Sequence, residues 1–574
     1  MVLKTALLRG AAAGVIVLAA AAQANAAQTE VHHKKVVKTT THRVVRETAS
    51  SSQFRELQNE VHALQASQAQ TQEQLRDALA TAQQAQAQVQ SAQAQLQASQ
   101  AQEADAEESI KSIPSQVAAA VDAAKPKTDK LYYKGLAITL GGFLDASNQY
   151  RSRALGSDMF SPFNTIPFAA TKTGHESEDR FSARMSRISA LVQSNITAST
   201  QIAMYGEFDF LGAAQSANSN ESNSFTPRIR NLYATVDWND SGWHLLAGQS
   251  WSLATMNSKG ITPRNEVIPA VDDAQFVPGF VWTRQPGVRI TKDMFDHKLW
   301  FALAAEQPQT VFTGTVPAGV LDSIANNTGL FSGAAGGSAP VAAGGPTTAA
   351  AATTATSSLN HIPDLIAKVA YELPLYNRTI HLEAFGIGRA FTDRVGSNEE
   401  NVYTGGVGGG FLLPLFPNLL DLQGSVLSGK GIGRYGTSQL PDVTFRSDGR
   451  IEPIGETDFL MGATLHATKM LDVYSYAGEE HVNREAFAGG YGYGSGTVNN
   501  AGCLTEGGTC TASTKLIEQL TVGFWQKIYQ GPFGRAQVGV QYSYTQRDAF
   551  SGLNNLAPIA NDNIIFTSFR YYPF

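Results

Sequence analysis

Strict alternation of apolar and polar residues near the carboxyl end constrains the fold of this chain more than any other feature. In the segment from Arg535 to Arg547, every second side chain from Ala536 to Tyr544 is apolar or aromatic, namely Ala536, Val538, Val540, Tyr542 and Tyr544. Successive side chains of a strand point to opposite faces, so this pattern predicts a strand with one apolar and one polar face. A soluble sandwich could use such a strand, but the tyrosines at the end of the apolar face favour a transmembrane barrel.

The segment Asn561 to Phe574 has the same character and ends on an aromatic residue. Tyr572 and Phe574 fall on one face of the predicted strand, where an aromatic belt at the bilayer edge is expected. We therefore expect this segment to close a barrel against its first strand.

About sixteen segments after residue 130 have strand character. They are 131–150, 179–195, 199–211, 227–238, 241–250, 281–293, 297–306, 362–373, 378–391, 400–413, 418–428, 456–469, 471–484, 514–529, 534–548 and 561–574. Every second connection is short, as at Asn239-Asp240, and the others are long, as at 151–178 and 429–455. This predicts an all-β transmembrane barrel of antiparallel strands over 131–574, with long extracellular loops, short periplasmic turns and both barrel ends in the periplasm.

The amino-terminal residues have the features of a secretory signal peptide over 1–26. Lys4 and Arg9 accompany an apolar run, Ala11 to Ala22, that is followed by the small residues Ala24-Asn-Ala26. The run is too short to span a bilayer comfortably, so we expect export without a transmembrane helix. Removing two positive charges and no acids changes the net charge from −6 to −8, which argues against a nucleic-acid partner.

Two segments separate the signal from the barrel: a basic, flexible stretch over 27–50 and an Ala/Gln-rich tract over 51–125. From Phe54 to Ala124 the tract has positions spaced alternately three and four residues apart, which predicts a periplasmic α-helical coiled coil. A disordered Gln-rich linker is the alternative, because Ala, Gln and Ser bury little apolar surface. A coiled coil with so few large apolar core residues would not hold its chains together by itself. The chains must therefore associate through another part of the protein, which indicates an oligomer.

Two cysteines, Cys503 and Cys510, lie seven residues apart in a glycine-rich connection. In an exported chain this spacing predicts a local disulfide. A metal site is the alternative, but no histidine or further cysteine lies nearby. We expect neither a metal nor a cofactor, and no constellation of an enzyme stands out.

Cationic side chains recur on the polar faces of the predicted strands. A charge on the lipid face costs a few kcal/mol near the midplane, so these cations are expected to face a water-filled lumen. Phe181, Ala183 and Met185 are expected to point outward, as are Ile229 and Tyr233. A bulge after Ser186 is expected to turn the next residue inward. The predicted inward cations are Arg184, Arg187, Arg228, Arg230, Arg289, Lys368 and Arg389. They fit either generic barrel lining or a cationic ladder that selects anions.

The connection 251–280 differs from the other loops. It combines three prolines with Arg264, Glu266, Asp272 and Asp273. In its position after the fifth strand this loop resembles the segment that classical porins fold inward, and the resemblance implies a segment that narrows the lumen, with an ordinary external loop as the alternative. The longest connection, 307–361, is rich in Gly, Ala, Ser and Thr and is expected to be an external loop.

Several of these segments resemble the DcaP-like family of outer-membrane porins. The likeness is carried by Thr226-Pro-Arg-Ile-Arg-Asn-Leu-Tyr233, Leu246-Ala-Gly-Gln-Ser-Trp-Ser252, Gly523-Phe-Trp-Gln-Lys-Ile-Tyr529 and Gln541-Tyr-Ser-Tyr-Thr-Gln-Arg547. The resemblance implies a homotrimer of sixteen-stranded barrels that admits small anions, including dicarboxylates, past arginines in a constriction. It carries over most directly to Arg228 and Arg230.

The expected function is thus a passive outer-membrane channel of a Gram-negative bacterium, surrounded by lipid and lipopolysaccharide. A rival of a different class is a structural anchor that links the outer membrane to the cell wall through the periplasmic segment. A wide polar bore favours the channel, because an anchor has no need of one.

Overall fold

The computed structural model describes residues 130–212, 226–314, 317, 320 and 360–574. The predicted signal peptide, basic segment and coiled coil lie outside the described residues, as does most of the 307–361 loop. None of the helices in the described ranges is long and apolar enough to cross a membrane.

The described chain forms sixteen barrel strands, which we number β1 to β16. They are β1 Leu136–Arg151, β2 Glu178–Ser182 with Arg187–Asn195, β3 Thr200–Gly212, β4 Thr226–Trp238, β5 Trp243–Trp251, β6 Arg284–Met294, β7 Leu299–Glu306, β8 Asp364–Leu375, β9 Arg378–Val395, β10 Asn398–Phe416, β11 Leu420–Lys430, β12 Gly455–His466, β13 Leu471–Val482, β14 Thr514–Gly531, β15 Gly534–Ala549 and β16 Ile559–Tyr572. Each pairs antiparallel with the next strand along the chain. Pairing of β1 with β16 closes the barrel, so the predicted strand number and closing strand are confirmed.

The two ends of the barrel differ as predicted. Its turn end carries the short connections, and its loop end carries 152–177, 252–283, 307–363, 431–454 and 483–513. One loop-end connection is a two-residue turn between β9 and β10, because these two strands are among the longest of the barrel. We call 252–283 the constriction loop and 431–454 the mouth loop.

The loop end also carries several short elements. They are the 3₁₀ turns Phe163–Thr165, Lys172–Gly174, Gly433–Tyr435, Ala488–Gly490, Asn500–Leu504 and Leu553–Asn555, and the strand pairs Val443–Phe445 with Ile451–Pro453 and Glu485–Ala486 with Gly492–Tyr493. The predicted Cys503–Cys510 disulfide is present, and the Cys503 side chain packs beside Ile166 and Phe168.

The side chains of β15 point to the faces of the barrel wall that the sequence predicted. Tyr542 is 42% exposed on the outer face, whereas the adjacent Gln541 and Ser543 are at most 1% exposed on the inner face. On β16 the rim differs from the prediction. Tyr572 has the parity of the inward Arg570, and its ring packs against Phe143 at 5.1 Å. The strand also ends at this residue, so Phe574 follows it rather than sharing a strand face with Tyr572.

The predicted first strand is divided. Leu131–Tyr133 folds back on β1 with Leu131 opposite Ile138, through a turn at Lys134 and Gly135. Both turn residues have positive φ, of 49° and 81°, a conformation that is easiest for glycine.

Two bulges decide which side chains face inward. Between Arg187 opposite Phe143 and Ser182 opposite Ser147, β2 has one residue more than β1, so Arg187 turns inward as predicted. The same irregularity buries Met185 against Met159 and Leu211, so its predicted outward position was wrong.

The second bulge lies on β4, where Arg230 is the extra residue between Asn231 opposite Glu207 and Ile229 opposite Phe208. It reverses the parity of the rest of the strand. Tyr233 is consequently 5% exposed and its ring contacts that of Tyr205, so its predicted outward position was also wrong. Ile229, which precedes the bulge, is 43% exposed on the outer face as predicted.

Candidate pore constriction

The constriction loop crosses the inside of the barrel. Its backbone N–H groups donate to side chains on the inner faces of distant strands: Gly260 to Glu372 on β8, Asn257 to Glu383 on β9, and Asp272 to Gln541 on β15. These partners confirm the predicted inward fold.

An aromatic cluster gives the constriction loop a fixed shape. Phe276 and Phe280 pack edge-on against each other with ring centres 5.2 Å apart, and both meet the ring of Trp251 at about 6 Å. The opposite wall supplies Tyr474 and Trp525, both buried in the same cluster. Because such pairs add to the energy of apolar burial, the loop is held against the wall rather than free to swing.

Beside the loop lies a group of arginines on β2 and β4. Arg228 donates to Asp209 through Nε at 2.9 Å and Nη2 at 2.7 Å. Arg230 bridges Glu207 at 2.7 Å and Asp209 at 2.8 Å. Arg187 lies 3.4 Å from Glu207. The side chains of Arg187 and Arg228 are 26% and 22% exposed, but that of Arg230 is 2% exposed. Arg230 is therefore buried between the two acids, whereas Arg187 and Arg228 each pair with one acid and keep part of their side chain exposed.

A fourth arginine, Arg284, was missed by the sequence analysis. Arg284 lies four residues before the outward Val288 on the same strand, so strict alternation would place it on the lipid face. In the structure its guanidinium lies 4.8 Å from the ring centre of Trp251, which is buried beneath the constriction loop. It interacts electrostatically with Arg228 and Arg230. Its Nη1 has no hydrogen-bond partner among the described residues.

The four arginines and two acids form what we call the arginine cluster: Arg187, Arg228, Arg230, Arg284, Glu207 and Asp209. Four guanidinium groups less two carboxylates leave a net charge of about +2. Because low-dielectric protein surrounds the cluster, this excess positive charge favours anions in this part of the lumen.

Three predicted pore-lining cations point inward but are buried. Lys368 pairs with Glu383 at 2.8 Å and donates to the carbonyl of Thr255 at 2.7 Å. Arg389 joins Asp364 and Asp442, at 3.1 and 2.5 Å. The Lys368 and Arg389 side chains are 0% exposed, so their predicted position on the pore surface was wrong.

Arg289 is the third of these cations. It is 5% exposed and donates to the carbonyl of Trp251 at 2.6 Å. The inserted loops cover all three cations, and the cations in turn attach these loops to the barrel wall. Lys368 contacts the constriction loop, Arg289 contacts Trp251 just before that loop, and Arg389 contacts the mouth loop through Asp442.

The other predicted residues lie around the constriction loop. Arg184 pairs with Asp158 at 2.5 Å, which ties β2 to the 152–177 loop. Arg264 is exposed and lies 3.5 Å from the hydroxyl of Tyr233, while burial raises the pKa of Glu266.

The two aspartates of the loop have different partners. Asp272 pairs at 2.7 Å with Arg570, a residue that sequence reasoning missed although its parity with Ser568 on β16 indicates an inward position. Asp273 accepts hydrogen bonds from the N–H groups of Ser161 and Gln275. Burial raises the pKa of Asp273 to about 6.

Comparison with known proteins bears on the fold. No protein-family model and no curated protein matches the sequence. Among solved structures, the outer membrane channel DcaP of Acinetobacter baumannii is similar over 77% of this chain and 99% of its own, with 16% identity and a TM-score of 0.53. The described barrel has the fold of the DcaP channel. The resemblance seen in the sequence is therefore confirmed for the fold.

Two further porins were found at lower similarity. An anion-selective porin from Comamonas acidovorans covers 76% of this chain and 99% of its own, at 10% identity and a TM-score of 0.41. Salmonella typhi OmpF, solved in complex with daunomycin, covers 77% and 99%, at 11% identity and a TM-score of 0.42.

Proposed function

We propose that this protein is a passive outer-membrane porin for small hydrophilic solutes. The DcaP-like fold supports this proposal, together with an outer face of apolar side chains and an inner face of polar ones. A loop held across the lumen sets a size limit for solutes without any need for an energy source. The long loops then face the outside, the short turns face the periplasm, and the barrel contacts lipid and lipopolysaccharide.

We further propose a preference for anions, dicarboxylates among them. The observation that carries this proposal is the arginine cluster, with its charge of about +2 and its accessible Arg187 and Arg228. A guanidinium can hold a carboxylate by two hydrogen bonds, so neighbouring arginines can pass a dicarboxylate from one to the next. Each contact has to be weak, because a tightly held solute would block the channel.

Planar-bilayer recording of the purified protein tests both proposals. Discrete conductance steps support the channel, and their absence would favour the structural anchor expected as the rival. The reversal potential across a salt gradient reports the preference for anions. The double variant Arg187→Gln, Arg228→Gln should lower anion preference and slow uptake of a dicarboxylate such as succinate, but leave uptake of a neutral sugar nearly unchanged. Equal slowing of both solutes would refute the proposed anion selectivity.

The homotrimer and a periplasmic position of residues 27–125 belong to the same proposal. They rest on the resemblance and on the heptad pattern. Native mass spectrometry of the protein in detergent tests the trimer, and a monomeric mass would refute it.

A further inference from the structure

Arg535 lies on the inner face of the barrel at its turn end, where β15 begins. It has the strand parity of Gln537, which is inward and 6% exposed. Across the sheet it is opposite Tyr572, the last residue of β16. The Arg535 side chain is half-buried, so part of it is open to the lumen at this end.

The partner of Arg535 is an aromatic ring rather than an acid. Its guanidinium lies 4.1 Å from the ring centre of Tyr572. Its Nε is buried without a hydrogen-bond partner among the described residues, and no acid in these ranges forms an ion pair with it. An aromatic ring orients a guanidinium without cancelling its charge, because the ring carries no net charge. Arg535 therefore keeps its full positive charge and donors that the described chain does not use.

The neighbouring Arg570 shows the contrast. Its guanidinium also lies over an aromatic ring, 5.1 Å from the ring centre of Phe143. However, its Nε donates to Asp145 and its Nη2 to Asp272, both at 2.7 Å. These two carboxylates offset its charge, so Arg570 attaches the constriction loop to the wall and Arg535 is left for a solute.

The turn between β14 and β15 fixes the position of Arg535. The carbonyl of Phe533 in this turn accepts a hydrogen bond from the Tyr571 hydroxyl at 2.6 Å. Gly534 has a φ of 94°, and a Cβ at this residue would collide with the carbonyl oxygen of Tyr572. Glycine therefore lets the turn lie against the end of β16, and the guanidinium next to it projects from a fixed backbone.

Two aromatic rings separate Arg535 from the arginine cluster. The ring of Tyr572 lies 5.1 Å from that of Phe143, and Arg187 of the cluster lies 5.2 Å from the same Phe143 ring. The four residues occupy neighbouring positions on β2, β1, β16 and β15. Neighbouring strands lie about 4.8 Å apart, so the two arginines are about 14 Å apart. A four-carbon dicarboxylate is too short to bridge them and has to leave one before it reaches the other.

We propose that Arg535, held on the ring of Tyr572, is a second binding position for carboxylate solutes, which we call the turn-end anion site. This inference rests on the proposed porin function and adds a position at the end of the lumen opposite the long loops. The edge of a guanidinium can donate two hydrogen bonds to one carboxylate. Two weak positions in series attract anions along one wall without holding them tightly, as conduction requires.

Single-channel recording of the full-length protein tests the site. In 0.1 M KCl, succinate is added to each side of the bilayer in turn, and the rate of current interruptions reports its capture. Loss of one positive charge about 7 Å from a dianion, screened at this salt, should lower capture from the turn side of Arg535→Gln about threefold. Capture from the loop side should stay nearly unchanged.

Two further variants serve as controls. Arg535→Lys keeps the charge and should capture succinate nearly as the wild type does. Lys469→Gln removes a positive charge from the exposed β12–β13 turn at the same end of the barrel, and it should also capture succinate like the wild type.

Bromide gives a test on the wild type that needs no variant. Crystals soaked in sodium bromide should show an anomalous difference peak beside the Nη atoms of Arg535. Absence of this peak would overturn the site. A peak together with unchanged succinate capture in Arg535→Gln would mean an adventitious ion only and would overturn it as well.

The recordings separate the failure of this site from failure of the porin proposal. Equal capture from the turn side by the wild type and Arg535→Gln would overturn the turn-end anion site. Equal loss of capture from both sides would also overturn it, because it would indicate a structural role. In both cases the conductance and anion preference of the wild type would still support the porin. A wild type that forms no channels would overturn both proposals.

Discussion

The replacement Arg284→Gln gives the sharpest test of the proposed anion preference. This arginine has no ion-pair partner in the described chain that its loss would strand, and Gln keeps a polar side chain over Trp251. The change lowers the charge of the arginine cluster from about +2 to about +1. We therefore expect a loss of selectivity with little loss of stability, since a cation–π contact of this kind contributes only about 1 kcal/mol.

The size of the effect follows from Coulomb's law. An ion about 7 Å from the guanidinium, in water, interacts with it by about 0.6 kcal/mol. Screening with a Debye length of about 10 Å at 0.1 M salt roughly halves this energy, to about 0.3 kcal/mol. An anion loses that attraction and a cation loses the equal repulsion, so the permeability ratio of anion to cation should fall about threefold. At 0.01 M salt, where the Debye length is about 30 Å, it should fall about fivefold.

Reversal potentials in KCl gradients at the two salt concentrations measure this ratio directly. The matched control is Arg446→Gln, which removes one arginine from the exposed rim, where it pairs with Glu452. Its effect should be much smaller than that of Arg284→Gln. An equal fall in both variants, or an effect that does not grow at low salt, would refute the reasoning that the arginine cluster is the filter.

Three further predictions concern the loops. Because burial raises the pKa of Asp273 to about 6, its carboxylate should lose its charge between pH 7.5 and pH 5; anion preference should rise over this range, and less so in Asp273→Asn. Lys368→Met removes the lysine partner of the buried Glu383, which keeps only His381 and the Asn257 N–H, and should lower the unfolding free energy by about 3 kcal/mol, whereas the exposed Lys515→Met should not; equal thermal-unfolding midpoints would contradict this. Serine at Cys503 and Cys510 should increase protease cleavage within 483–513 while the barrel stays resistant, since the disulfide closes only a short loop; unchanged cleavage would count against this role.

The sequence by itself determined the barrel. Alternation with a period of two is a local property of extended backbone, so it assigned sixteen strands and the outward face of β15 without knowledge of any partner strand. The lengths of the connections can also be read from the sequence. Because long and short connections alternate, they predicted which strand ends lie at the same end of the barrel. The Cys503–Cys510 pairing followed for the same reason, because two cysteines seven residues apart are close in any compact loop.

Only the tertiary structure decided which of the inward cations are exposed to the lumen. The inward positions of Arg187 and Arg230 were predicted, but the burial of Met185 and Tyr233 beside the two bulges was not, because it depends on the register between neighbouring strands. The burial of Lys368 depends on a loop that arrives from another part of the barrel. Arg284 turns inward against its strand parity because Trp251 lies beneath the same loop. Whether a side chain points inward or outward is set by a few neighbouring residues of its own strand. Whether it is exposed to the lumen depends on which distant segments cover it, and the local sequence does not show this.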